Sequence, residues 1–213
     1  MREILLSILV AAIAYLLGCF STGLTVSGAK GVDIRNRGSK NTGASNVLRV
    51  MGLKSGLITF AGDFLKAALA CWIGSLILPG STFGIARYGM MLAGLFAIIG
   101  HNWPVFYGFK GGKGVLVGAG AALATEPLVC AVLLVVFLIE VAITHIFSLG
   151  SIIIAALYPV GTLINLIAHG AGVPTVVFST ICCCLMAAMV IWLHRSNIER
   201  LRNGTEYRFG QKK

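Results

Sequence analysis

Three stretches of this 213-residue chain gather residue types that could do chemistry on an anion. They read GSKNTGASNVLR from Gly38 to Arg49, GHNWPVFYGFKGGKGV from Gly100 to Val115, and HRSNIERLRNGTE from His194 to Glu206. Each joins a cation to small or amide residues, the combination that recognition of a phosphate group requires. Arg offers a planar fork to phosphate oxygens, Lys a compact charge, and Ser, Asn and glycine N–H groups directed hydrogen bonds. In the middle stretch Lys113 lies between Gly112 and Gly114, and glycines let backbone N–H groups approach a ligand closely. It is not a nucleotide loop, because the Walker A pattern needs Gly at 107 and Ser or Thr at 114, where the chain has Tyr107 and Gly114. In the last stretch a helix would align His194, Asn197 and Arg200 on one face. The plainer alternative is a set of basic loops and one interfacial histidine.

What positions these stretches is a membrane. The chain is 57% hydrophobic and 11% charged with a mean hydropathy of +0.91, against roughly a quarter charged residues in a soluble domain. The net charge of +10 does not suggest nucleic acid, because all Lys and Arg except Arg2, Lys66 and Arg87 fall in three short segments between or after apolar runs. Those segments (Lys30 to Lys54, Lys110 with Lys113, and Arg195 to Lys213) read as cytoplasmic by the positive-inside rule.

The expected fold is therefore an all-α transmembrane bundle of about seven spans, with the N-terminus outside and the C-terminus cytoplasmic. The first span runs from Ile4 to Ala29; LLGC at Leu16–Cys19 resembles a lipoprotein cleavage box, but the apolar run continues past it. A second span, about Gly56 to Leu78, contains Asp63 and Lys66, three residues apart and so able to pair inside the bundle. A short outer turn from Pro79 to Arg87 leads to a third span, about Tyr88 to Tyr107. Val115 to Phe147 divides into two short or tilted passes near Glu126-Pro127, since proline breaks helices and a single pass would leave the basic tail on the wrong side. Ser151 to Ala168 and Val173 to Leu193 complete the count. The cysteines (Cys19, Cys71, Cys130, Cys182 to Cys184) lie in apolar runs without metal-ligand spacing, and neither a disulfide nor zinc is expected.

Several chemistries lack their residues. Asp33 and Asp63 have no evident histidine neighbour in sequence, as a Ser-His-Asp triad would need, and no carboxylate cluster suggests magnesium. The HxxxxD signature of soluble and peripheral glycerolipid acyltransferases is absent, and His194 with Glu199 gives only an accidental HxxxxE.

In order, the three stretches resemble the motifs of the bacterial acyl-phosphate-dependent glycerol-3-phosphate acyltransferases, an integral membrane family of the PlsY type. GSxNxGxxNxxR is matched from Gly38, GHxxPxFxxFxGGKGV from Gly100, and HxxNxxRLxxGxE from His194. The resemblance covers essentially the whole chain and implies a single acyltransferase domain over residues 1–213. It implies a multi-pass enzyme of the bacterial inner membrane whose active site faces the cytoplasm, with no cofactor, no metal, no nucleic acid and no obligate protein partner. The implied reaction moves a fatty acyl group from acyl phosphate to the 1-hydroxyl of sn-glycerol 3-phosphate, giving lysophosphatidic acid and inorganic phosphate. By the same resemblance His194 and Asn197 would orient the hydroxyl or stabilise the oxyanion. Ser39, Asn41, Asn46, Arg49, Gly112, Lys113, Gly114, Ser151 and Arg200 would bind substrate and phosphate. His101, Asp63 and Lys66 would support the structure. The rival reading is a small transporter for an organic phosphate, which would show inverted repeats and polar breaks near mid-membrane; here the polar groups gather on one face and the halves differ.

Overall fold

The computed structural model describes residues 1–210, so Lys212 and Lys213 of the basic tail lie outside the described residues. The chain divides into two compact units, Met1–Thr125 and Glu126–Lys213.

The first unit contains α1 (Arg2–Cys19), α2 (Thr22–Gly28), α3 (Ala44–Met51), α4 (Leu53–Ile77), a two-stranded antiparallel hairpin of β1 (Ser81–Thr82) and β2 (Ile85–Ala86), α5 (Tyr88–Asn102) and α6 (Val115–Thr125). Small residues set its packing. A Cβ on Gly18 of α1 would overlap the backbone of Ala97 on α5, and one on Gly100 of α5 would overlap the backbone of Tyr15. Lipid supplies no hydrophobic drive between apolar helices, so association depends on such close backbone approach. Arg87 caps the other end of the unit: its guanidinium donates to the carbonyl of Thr125, the last residue of α6, where a cation meets the negative end of the helix dipole.

The first span is not one helix. At Phe20 the backbone is extended (φ −66°, ψ 116°), and Ser21 starts α2 as its N-cap, accepting from the Leu24 N–H. The break strands carbonyls in apolar surroundings. Lys66 of α4 satisfies two of them, donating to Gly18 O (3.0 Å) and Phe20 O (2.6 Å).

The second unit contains α7 (Pro127–Thr144), α8 (Phe147–Ala168), α9 (Val173–Leu193) and α10 (Arg195–Arg202). Pro127 sits in the first turn of α7, where its missing N–H costs nothing. Glu126, just ahead of it, is buried and accepts a hydrogen bond from the Asn165 amide of α8.

Among the described residues, six helices are long and apolar enough to cross a membrane: Arg2–Gly28 taken together, Leu53–Ile77, Tyr88–Tyr107, Pro127–Thr144, Phe147–Ala168 and Val173–Leu193. The break at Glu126 falls where the sequence places it. However, α6 has only 11 residues, about 16 Å, roughly half of an apolar bilayer core. Where seven spans were expected, the described residues hold six helices of spanning length and one short apolar helix.

Candidate functional site

In the first unit, the segment from Gly38 to Arg49 is a loop folded around one amide. Asn46 is fully buried; its Oδ1 accepts from the Ser39 N–H (2.8 Å), and its Nδ2 donates to the carbonyls of Asn41 (2.8 Å) and Arg37 (3.0 Å). Asn41 in turn accepts from the Gly43 N–H (2.9 Å), a local turn that leads into α3. The side chain of Asn46 and the Oδ1 of Asn41, both expected to bind substrate, hold the loop itself. What they present is Ser39, half-buried, and Arg49, exposed on α3. At the start of this loop Asp33 and Arg35 form a two-point pair (3.0 Å each). The Arg35 hydrogen bonds hold the Asp33 carboxyl below its usual range, and Asp33 raises the guanidinium.

The glycine-rich stretch folds back on the end of α5. Gly111 N–H donates to Asn102 O (3.2 Å) and Gly112 N–H to His101 O (3.1 Å). Gly112 was expected to offer its N–H to a substrate; that donor is committed to the His101 carbonyl. The need for glycine there is steric, since a Cβ would overlap the His101 ring. Gly114, at φ +82°, turns the chain into α6. The first turn of α6 thus offers backbone N–H groups and the positive end of a helix dipole directly after half-buried Lys113.

Behind this loop lies a buried charged cluster. Lys66 Nζ is 3.1 Å from Asp63 Oδ1 and 3.0 Å from His101 Nδ1, and all three side chains are at most 7% exposed. The expected internal pairing of Asp63 with Lys66 is present, with His101 joined to it.

In the second unit, α9 passes into α10 at His194, and α10 turns one polar face inward. His194 and Asn197 are buried, Arg200 is half-buried, and Arg195, Ser196 and Glu199 are exposed. His194 Nδ1–H donates to Val190 O (2.7 Å), which makes Nε2 the accepting nitrogen of the neutral ring. At the end of α10, Gly204 (φ +67°) reverses the chain, with Thr205 N–H returning to Arg200 O (2.8 Å). The reversal brings Glu206 back onto the helix face. Its carboxylate accepts from Asn197 Nδ2 (2.7 Å), Arg200 Nε (2.6 Å) and Ser148 Oγ (2.8 Å) at the start of α8. Beyond it the Tyr207 ring stacks under the Arg200 guanidinium, and Phe209 packs on Phe147.

From the sequence Glu206 was open to capping or to pairing with a neighbouring Arg, and it pairs with Arg200; Ser148 was not anticipated as part of this network. The available signal was an acid placed two residues past a helix-ending glycine. Ser151, expected to bind substrate, donates its hydroxyl proton to Phe147 O (2.7 Å) within α8.

The family model described as glycerol-3-phosphate acyltransferase matches residues 8–204. The chain belongs to the glycerol-3-phosphate acyltransferase family. A protein of that name from Clostridioides difficile (strain 630) is 43% identical over 218 residues, spanning 99% of each chain. Another, from Geobacter sulfurreducens, is 41% identical over 95% of this chain and 97% of its own. The fold is similar to the crystal structure of PlsY (YgiH), an integral membrane glycerol 3-phosphate acyltransferase, in its glycerol 3-phosphate form. The TM-score is 0.79, with 35% identity over 96% of both chains. The lysophosphatidic acid form matches equally in TM-score, at 33% identity. As a member of this family the chain is a multi-pass membrane glycerol-3-phosphate acyltransferase, an activity that fits phospholipid biosynthesis.

Proposed function

We propose that the acyl donor is a fatty acyl phosphate and that the chain transfers its acyl group to the 1-hydroxyl of sn-glycerol 3-phosphate. The hydroxyl oxygen bonds to the acyl carbonyl carbon, the bond from that carbon to the phosphate oxygen breaks, and inorganic phosphate leaves carrying the hydroxyl proton. The products are lysophosphatidic acid and inorganic phosphate. The active residues face the cytoplasm of a bacterial inner membrane, where the positive-inside rule puts the basic loops, and the whole chain serves as one acyltransferase domain.

The observation that carries this reading is the inward face of α10. A histidine, an amide and an arginine are placed at three-residue spacing, and each is already held by a polar partner. His194 Nε2 accepts from the attacking hydroxyl, which fixes its direction, while Asn197 orients the same group. The phosphate charges fall to the cations of the three motifs, Arg49, Lys113 and Arg200. Ser39 adds a directed hydroxyl, and the first turn of α6 after Gly114 adds backbone N–H donors. The leaving phosphate takes the proton itself, which suits a chain with so few carboxylates. Acyl phosphate is an activated donor, so neither cofactor nor metal is called for, and the membrane spans accommodate the acyl chain.

The test is turnover by the detergent-purified chain with acyl phosphate and glycerol 3-phosphate in the presence of a chelator. Release of inorganic phosphate should match formation of lysophosphatidic acid, and acyl-CoA should not replace the donor. Efficient turnover with acyl-CoA and none with acyl phosphate would overturn the assignment.

A further inference from the structure

We infer that His101 is a phosphate-binding residue: its Nε2–H, fixed by Lys66 and Asp63, is a hydrogen-bond donor to a substrate phosphate held at the Gly111–Gly114 loop. The inference deepens the function proposed above and rests on its phosphate-bearing substrates. It goes beyond a supporting role for the histidine.

An ammonium group has three N–H donors. Those of Lys66 are accounted for by Gly18 O, Phe20 O and His101 Nδ1, at 3.0, 2.6 and 3.0 Å. Asp63 Oδ1, 3.1 Å from the same nitrogen, stands as counter-ion and has no hydrogen bond of its own among the described residues. With Lys66 donating, His101 Nδ1 can only accept, so the single proton of the neutral ring lies on Nε2. The tautomer therefore follows from donor counting within the cluster.

The protonated nitrogen faces the phosphate loop. Nε2 lies against Gly112 on the side where a side chain would begin, and the His101 carbonyl anchors the Gly112 N–H. The polar contacts of His101 described above are made by Nδ1 and by its backbone carbonyl, none by Nε2. The next residue repeats the theme. Asn102 is 2% exposed, both its amide atoms lack a hydrogen-bond partner among the described residues, and its Oδ1 lies against Gly114. Two successive polar side chains thus carry unspent hydrogen-bonding groups against the loop that carries Lys113. Buried polar groups are nearly always paired, and a bound anion would pair the histidine.

The substitutions that separate this from structural support are His101→Gln and His101→Asn in the full-length purified protein. The Gln amide nitrogen reaches where Nε2 stands, whereas the Asn amide nitrogen reaches only where Nδ1 stands. Two readouts apply: KM for each substrate beside kcat, and the rise in unfolding temperature produced by inorganic phosphate. His101→Gln should stay within about threefold of wild type in KM and keep the phosphate effect. His101→Asn should raise KM for one substrate by about tenfold or more, the scale of a lost hydrogen bond to a charged group. It should also lose most of the phosphate effect while unfolding at the same temperature as His101→Gln without phosphate. A KM rise confined to acyl phosphate assigns the donor to that phosphate, and one confined to glycerol 3-phosphate assigns it to the other. Equal phosphate stabilisation of the two variants, or an effect of His101→Asn limited to unfolding temperature, overturns the inference. A wild type that phosphate stabilises but that does not turn over acyl phosphate would overturn the proposed donor and leave this donor role standing.

Discussion

Both units hold a polar cluster built around a carboxylate and a cation, yet the two are put together in opposite ways. In the first, Asp63 and Lys66 sit within one helix and are almost wholly enclosed, and the ammonium is consumed by backbone carbonyls and a histidine. In the second, Glu206 comes from a reversed tail and gathers Ser148, Asn197 and Arg200, with Arg200 remaining 29% exposed. The enclosed cluster repairs a helix and fixes a tautomer. The open one leaves a cation within reach of solvent, which is where a substrate anion must be met. Charge alone does not mark a substrate site; whether its donors are already spent does.

The widest separation between the clusters should come from Lys66→Met. It leaves Asp63 uncompensated and two carbonyls orphaned, at a cost of about 3–5 kcal/mol. Loss of the monodisperse folded protein in detergent, partly restored by adding Asp63→Asn, is the expected result. Gly112→Ala should follow at about 1–3 kcal/mol, because the new Cβ displaces the His101 ring; a thermal unfolding series against Gly28→Ala, where no neighbour lies within 4 Å, checks the steric cause. On the open cluster, Arg200→Ala should lower kcat/KM by about tenfold or more while shifting unfolding less than Gly112→Ala does. An Arg200→Ala protein as active as wild type, assayed side by side, would mean that Glu206 is the only anion this cation serves.

The smallest effect belongs to Asp33. Its carboxyl is held below the usual range by Arg35, so any stabilisation is complete above about pH 4, the unfolded value. It is lost as pH falls through the lower folded value. Because the pair is exposed, Asp33→Asn should leave the unfolding temperature at neutral pH almost unchanged. Any small difference from wild type should disappear in acid, which a pH series of melts would show.

The long helices were legible because apolar runs end at prolines, glycines and charges; Val173–Leu193 is the helix the sequence marks out. The break after Phe20 was not, since its determinant lies in another helix and no local residue announces it. The glycines of the middle motif were read as serving a phosphate. Gly111 and Gly112 serve the end of α5 first, and only the folded chain shows His101 and Asn102 behind them. Likewise the hydrogen bonds that Asn46 makes within its own loop were not legible, because an amide that binds its own loop and one that binds a substrate are the same letter. The α10 stripe was legible from spacing alone and a pairing of Glu206 with a neighbouring Arg was open from sequence, but its further contacts with Asn197 and Ser148 required the left-handed turn at Gly204 to be seen.

The interruption at Phe20 also bears on how the protein is made. The first span enters the bilayer before the lysine that completes it, because Lys66 follows 46 residues later in the chain. Until α4 arrives, Gly18 and Phe20 present bare carbonyls to lipid or to an insertion machinery. Lys66, for its part, is costly to insert without acceptors. Each segment is thus a poor solitary passenger and a good pair, which favours their release into the membrane together.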